Sequence, residues 1–106
     1  VLKRAALFVT HAGLGSVHDG LYCGVPLLLV PQQAEQTITA RRVVELGAGL
    51  LLKKEAVNVE TIRERAARLL AEPGFGREAQ RIGETLRAAG GAARGADEIE
   101  GLLRSL

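Results

Sequence analysis

Ala5-Ala6-Leu7-Phe8-Val9-Thr10-His11-Ala12-Gly13-Leu14-Gly15-Ser16 passes from a run that is apolar on both alternating faces into a glycine-rich turn. Apolarity on both faces fits a strand buried on two sides in a parallel sheet. The turn then supplies glycines and, in Ser16, an expected helix N-cap, with Asp19 expected in the first turn, where a negative charge suits the helix dipole. The spacing predicts a helix over residues 16–23 that Gly24 ends. Val25-Pro26-Leu27-Leu28-Leu29-Val30 reads as a second apolar strand with its proline near the entry, and Pro31-Gln32 closes it.

Further along, Ala40, Val43, Val44 and Gly47 recur at three- and four-residue spacing within 33–46, with Arg41 and Arg42 facing away, as on an amphipathic helix. Gly47-Ala48-Gly49 ends that helix, and Leu50-Leu51-Leu52 before Lys53-Lys54 reads as a brief edge strand. Val59, Ile62, Ala66, Leu69 and Leu70 form the expected core stripe of a third helix, which Glu72-Pro73-Gly74 breaks. Two more helices are expected over 77–89 and 97–106. Strand, helix, strand, helix, strand and then helices describe an α/β layer structure. The expected fold class is a partial doubly wound, Rossmann-like parallel sheet of about three strands with helices on its faces.

The composition narrows the function. At 106 residues with 47% hydrophobic and 25% charged, the chain holds one small core and leaves no room for two substrate-binding lobes. The net charge of +2 is not concentrated: residues 1–52 carry four Lys/Arg against three Asp/Glu, and the remainder ten against nine. With Phe8, Tyr22 and Phe75 the only aromatics there is no stacking platform, so no nucleic-acid partner is expected. The longest apolar run, 25–30, is far below the ~20 residues of a membrane span. No signal peptide is visible, Cys23 is the single cysteine, and the absent initiator methionine makes the chain read as a piece of something longer; a cytoplasmic setting is expected.

Ligands of open parallel sheets collect beyond the carboxyl ends of strands, where residues 10–16 fall. Gly13 and Gly15 would let the backbone approach a ligand, the start of the following helix favours an anion, and Ser16 and His11 can donate hydrogen bonds to it. Tight packing of helix on strand would also account for the two glycines. If the first two strands are adjacent, Glu35 and Gln36 open the next helix at the same edge. A carboxylate and an amide there suit sugar hydroxyls beside a phosphate site. The sequence lacks the Gly-Lys-Ser/Thr of a phosphate loop, and no acid ends an early strand to hold a dinucleotide ribose.

His-Ala-Gly-Leu-Gly-Ser-Val-His-Asp-Gly-Leu-Tyr-Cys-Gly-Val-Pro over 11–26, followed by Pro31 and Glu35-Gln36, resembles the donor-binding signature of the family-1 UDP-sugar glycosyltransferases, in particular the bacterial macrolide and antibiotic type. The pattern there is His-Gly-Gly-x-Gly-Ser-Thr-x-Glu-Ala-Leu-x-x-Gly-Val-Pro, then Pro and Asp/Glu-Gln. Three positions depart from it: Ala12 stands for glycine, Val17 for threonine and Asp19 for glutamate.

The resemblance implies that residues 1–106 are the C-terminal part of the nucleotide-sugar-binding domain of a two-domain GT-B enzyme, with the N-terminal acceptor domain absent from the chain. It implies that His11, Gly13, Gly15 and Ser16 hold the donor pyrophosphate, Asp19 the ribose, and Glu35 and Gln36 the transferred sugar. The catalytic histidine base lies in the N-terminal domain, so no catalytic residue falls in this chain. The reaction implied is inverting transfer of a hexosyl group from a UDP- or dTDP-sugar to a hydroxyl of a small-molecule acceptor, with no cofactor and no metal.

Blander assignments compete at each position. His11 could cap a strand end, Asp19 could serve the helix dipole alone, and Glu35-Gln36 could be helix-start polars. His18 reads as a surface or helix-packing residue, and Cys23 as a small hydrophobe under the helix. A non-catalytic sugar-nucleotide-binding module is the alternative function. An apolar sheet edge at 5–10 predicts that the isolated chain self-associates, as a homodimer or higher.

Overall fold

The computed structural model describes residues 7–88. Three parallel strands, β1 (Phe8–Thr10), β2 (Leu27–Leu29) and β3 (Gly49–Leu51), lie in the order β1-β2-β3. Val9 pairs with Leu28, and Leu28 with Leu50. Helices α1 (Leu14–Tyr22) and α2 (Ala34–Glu45) make the two crossovers, and α3 (Val59–Ala71) and α4 (Pro73–Ala88) follow. Residues 5 and 6 of the expected first strand and the helix expected over 97–106 lie outside the described residues.

Alternation along β2 builds two cores at once, because successive strand side chains point to opposite faces. Leu27 and Leu29 join Val17, Leu21, Val43, Ile82 and Leu86, so α1, α2 and α4 lie over one face. Leu28 packs instead with Val30, Leu52 and Leu69 on the face that α3 covers. All three leucines of β2 are fully buried, each contributing about 1.5–3 kcal/mol. Helices on both faces of a parallel sheet are the doubly wound layering expected from the sequence.

Gly24 and Gly47 end α1 and α2 at φ +73° and +79°, the left-handed conformation that costs glycine little. In each case the glycine N–H and the following N–H turn back onto the last helical carbonyls: Gly24 to Leu21 and Val25 to Gly20, then Gly47 to Val44 and Ala48 to Val43. Both are Schellman stops, and both send the chain straight into the next strand.

Several local expectations are corrected. The N-cap of α1 is Gly13 rather than Ser16, which sits in the helix's first turn, and Asp19 lies beyond that turn. The chain bends into the helix one step after Ala12, ahead of the first residue with a capping hydroxyl. Helix α4 starts at Pro73 and not near 77, because proline, which lacks an N–H, suits a first helical position. Of the stripe expected on α3 only Leu69 is fully buried; Val59 is 65% and Leu70 56% exposed. A sheet three strands wide meets α3 only around Leu28, Val30 and Leu52. On α2, Ala40 and Val43 are buried and Val44 is exposed.

Candidate functional site

The turn between β1 and α1 sits at the carboxyl edge of the sheet and is held by Thr10, whose buried Oγ1 accepts the Ala12 N–H at 3.1 Å. Ala12 takes φ +74°, a conformation that costs an L-residue about 1–2 kcal/mol and that the glycine of the resembled pattern would adopt freely. The first intrahelical hydrogen bond of α1 runs from Val17 N to Gly13 O at 2.9 Å, and no side chain caps the N–H groups before it. Those N–H groups, with the positive end of the helix dipole, face outward as an anion site.

An open groove of ≈ 410 Å³ lies over this turn, lined by Val9, Thr10, His11, Gly13, Ser16 and Gln36. It gathers His11, Gly13 and Ser16 from the first turn and Gln36 from α2, four of the residues singled out in the sequence, because β1 and β2 are adjacent and parallel. His11 and Ser16 are exposed and Gln36 is half-buried. A Cβ built at Gly13 or Gly15 would meet nothing within 4 Å, so packing does not require glycine at either position. Gly20 is the glycine of α1 that packing does require, lying against Leu27 and Phe8.

Gly15, Asp19 and Glu35 do not line the groove. All three are exposed, with Asp19 one turn further along α1 on the side of Gly15 and Ser16. Gln36 also braces the loop before α2. Its Oε1 accepts the backbone N–H groups of Gln32 at 2.8 Å and Gln33 at 3.2 Å, leaving its amide nitrogen free toward the groove. Val17, where the resembled pattern has threonine, is wholly buried in the core.

The family described as Erythromycin biosynthesis protein CIII-like, C-terminal domain, matches residues 1–100. The chain belongs to that family. Among its relatives, the NDP-glycosyltransferase YjiC of Bacillus licheniformis is 45% identical over 103 residues, which are 97% of this chain and 26% of YjiC. The crystal structure of CalG4, the calicheamicin glycosyltransferase, superposes with a TM-score of 0.79 at 38% identity, covering 97% of this chain and 26% of that one. The glycosyltransferase VinC, solved in complex with dTDP, gives 0.75 at 28% identity, covering 92% and 27%. The chain thus spans about a quarter of the length of the relatives it matches.

His18 of this EryCIII-like domain is a helix-packing residue. It is 3% exposed, and its ring stacks on Tyr22 with centroids 5.6 Å apart. Cys23, half-buried, forms the C-cap of α1. Among the described residues no cluster of three or more His, Cys, Asp or Glu could hold a metal ion, and no helix is long and apolar enough to cross a membrane. Sequence reasoning passed over Thr10, whose hydroxyl pins the turn, and Lys53 and Lys54, which follow β3 at the same carboxyl edge. Their place directly after an expected strand was the available signal.

Proposed function

We propose that this chain is the donor-binding part of a cytoplasmic glycosyltransferase that moves a hexosyl group from a nucleotide-diphosphate sugar to a hydroxyl of a small-molecule acceptor. The observation that carries the reading is the groove at the head of α1, where uncapped N–H groups, His11, Ser16 and the free amide of Gln36 converge. A diphosphate lying there meets the helix dipole and backbone donors, and the exposed side chains of His11 and Ser16 add hydrogen bonds. Gly13 and Gly15, free of packing duty, let that diphosphate approach the backbone. Asp19 takes the ribose hydroxyls further along α1, and Glu35 with Gln36 takes the transferred sugar. Names of relatives and the dTDP bound to VinC support a UDP- or dTDP-sugar as donor and a natural-product hydroxyl as acceptor.

None of these groups serves as the catalytic base, which the acceptor-binding part of the enzyme supplies. The 106-residue chain by itself is therefore expected to transfer no sugar. The outer edge of β1, with Val9 49% exposed, gives the isolated chain a strand to pair across a two-fold axis, and sedimentation equilibrium is expected to show a dimer rather than an 11.2 kDa monomer.

Calorimetric titration of the intact enzyme and its His11→Ala variant with UDP- and dTDP-sugars tests the donor assignment. Loss of the hydrogen bond to the pyrophosphate is expected to weaken binding by about 1.5–3 kcal/mol while thermal stability stays nearly unchanged. A variant that melts early yet binds donor normally would make His11 structural.

A further inference from the structure

Beside the donor groove, on the other side of the β2–α2 turn, lies a second depression of ≈ 320 Å³ floored by Pro31 and Leu51. Arg41 of α2 and Lys53 and Lys54 after β3 stand around it, with Glu55 the only acid among its lining residues. Among the described residues Arg42, Arg65, Arg68 and Arg81 each have a carboxylate partner within 4.0 Å, whereas Arg41, Lys53 and Lys54 have none. Lys54 is drawn across the turn by donating from Nζ to the Gln32 carbonyl at 3.4 Å, which ties the β3 edge to the loop that Gln36 also braces. Three cations without a carboxylate partner thus border one hollow that opens at the same carboxyl edge as the donor groove and shares the Gln32–Gln33 turn with it.

We propose that this depression is an anion subsite that takes a carboxylate or phosphate carried on a ligand about the size of one sugar ring. Its volume lies at the low end of the small-molecule range, so a single ring fits better than an extended ligand. Each exposed cation alone is screened and contributes little; three around one hollow with an apolar floor act on the same charge. The subsite stands on its own lining residues. Only the question of which molecule brings the anion, the donor sugar or the acceptor, rests on the donor-binding reading.

Ligand-observed NMR on the intact protein, with glucuronate, glucose 6-phosphate and glucose as probes, tests it. At least one anionic sugar is expected to bind about fivefold tighter than glucose, or about 1 kcal/mol, and raising the salt is expected to shrink the difference. A Lys53→Gln/Lys54→Gln variant should lose that preference and a Lys53→Arg/Lys54→Arg variant should keep it. These positions are exposed, so folding is not at stake. Equal binding of all three sugars, or a preference that survives in the glutamine variant, overturns the proposal. Displacement of the anionic sugar by UDP-glucuronate but not by UDP assigns the anion to the donor sugar, and simultaneous binding assigns it to the acceptor. If no nucleotide sugar binds at all, the donor reading fails while the free-sugar comparison still decides the subsite.

Discussion

Gln36 Oε1 accepts the backbone N–H of Gln32 at 2.8 Å, so the residue placed at the sugar edge also holds the entry to α2. The same oxygen takes the Gln33 N–H, and only the amide nitrogen is left for a ligand. Gln36→Ala is expected to cost about 1 kcal/mol of stability through the lost cap and to weaken donor binding as well. Gln36→Glu separates the two roles, because a carboxylate accepts the same N–H groups at the helix start but cannot donate. It should melt like the parent and bind donor about tenfold more weakly. Donor titration and thermal melting of both variants decide the point, and an unchanged donor affinity in the glutamate variant would confine Gln36 to capping.

Ala12 holds φ +74° with its methyl 1% exposed, and opposing terms of similar size meet there. Glycine would relieve about 1–2 kcal/mol of backbone strain. It would also lose about 0.8 kcal/mol of methyl burial and gain freedom in the unfolded chain worth about 0.4–1 kcal/mol. Ala12→Gly is therefore expected to stay within about 1 kcal/mol of the parent. Ala12→Val adds a β-branch at positive φ in a packed position and should destabilise by more than about 2 kcal/mol. Urea unfolding of the pair checks this, and a valine variant as stable as the parent would contradict the left-handed turn.

The layer order and the edge that carries the groove were legible because strand alternation and glycine stops are local signals. Leu27, Leu28 and Leu29 announce burial on two faces, and Gly24 and Gly47 announce helix ends, without reference to anything distant. What escaped depends on contacts between elements. The width of the sheet leaves Val59 and Leu70 exposed despite their helical spacing, and no periodicity encodes that width. The cap of α1 was misplaced because a turn pinned by Thr10 starts the helix before Ser16 is reached. At the site, Gln36 was legible as a polar helix-start residue, but its bond back to Gln32 follows from the path of the loop.

Asn58 caps α3 in a reciprocal arrangement: its Oδ1 accepts the Thr61 N–H at 2.8 Å, and its own N–H donates to Thr61 Oγ1 at 3.0 Å. Only Leu69 of this helix is fully buried, so the cap is a large share of what fixes its start. Asn58→Ala is expected to cost about 1 kcal/mol and Asn58→Gly only a few tenths. Chemical denaturation of both resolves the order. An alanine variant no less stable than the glycine one would show that α3 is held elsewhere.

His18 is buried with no hydrogen-bond partner for Nε2 among the described residues, while Nδ1 lies 3.6 Å from Asp19 Oδ1, too far for a hydrogen bond. A buried polar atom left without a partner costs about 1–3 kcal/mol, and replacing it with an apolar group of similar shape removes that cost. Phenylalanine keeps a flat ring against Tyr22, so His18→Phe is expected to stabilise the fold by about 1 kcal/mol. His18→Ala should destabilise by about 2 kcal/mol or more, since the ring's space would be left as a cavity. Because His18 does not line the donor groove, donor affinity should be the same in the parent and the phenylalanine variant. Thermal unfolding with a parallel donor titration measures both quantities. A phenylalanine variant less stable than the parent would mean that Nε2 finds a partner in the intact protein, and a fall in donor affinity without a fall in stability would mean that His18 reaches the nucleotide.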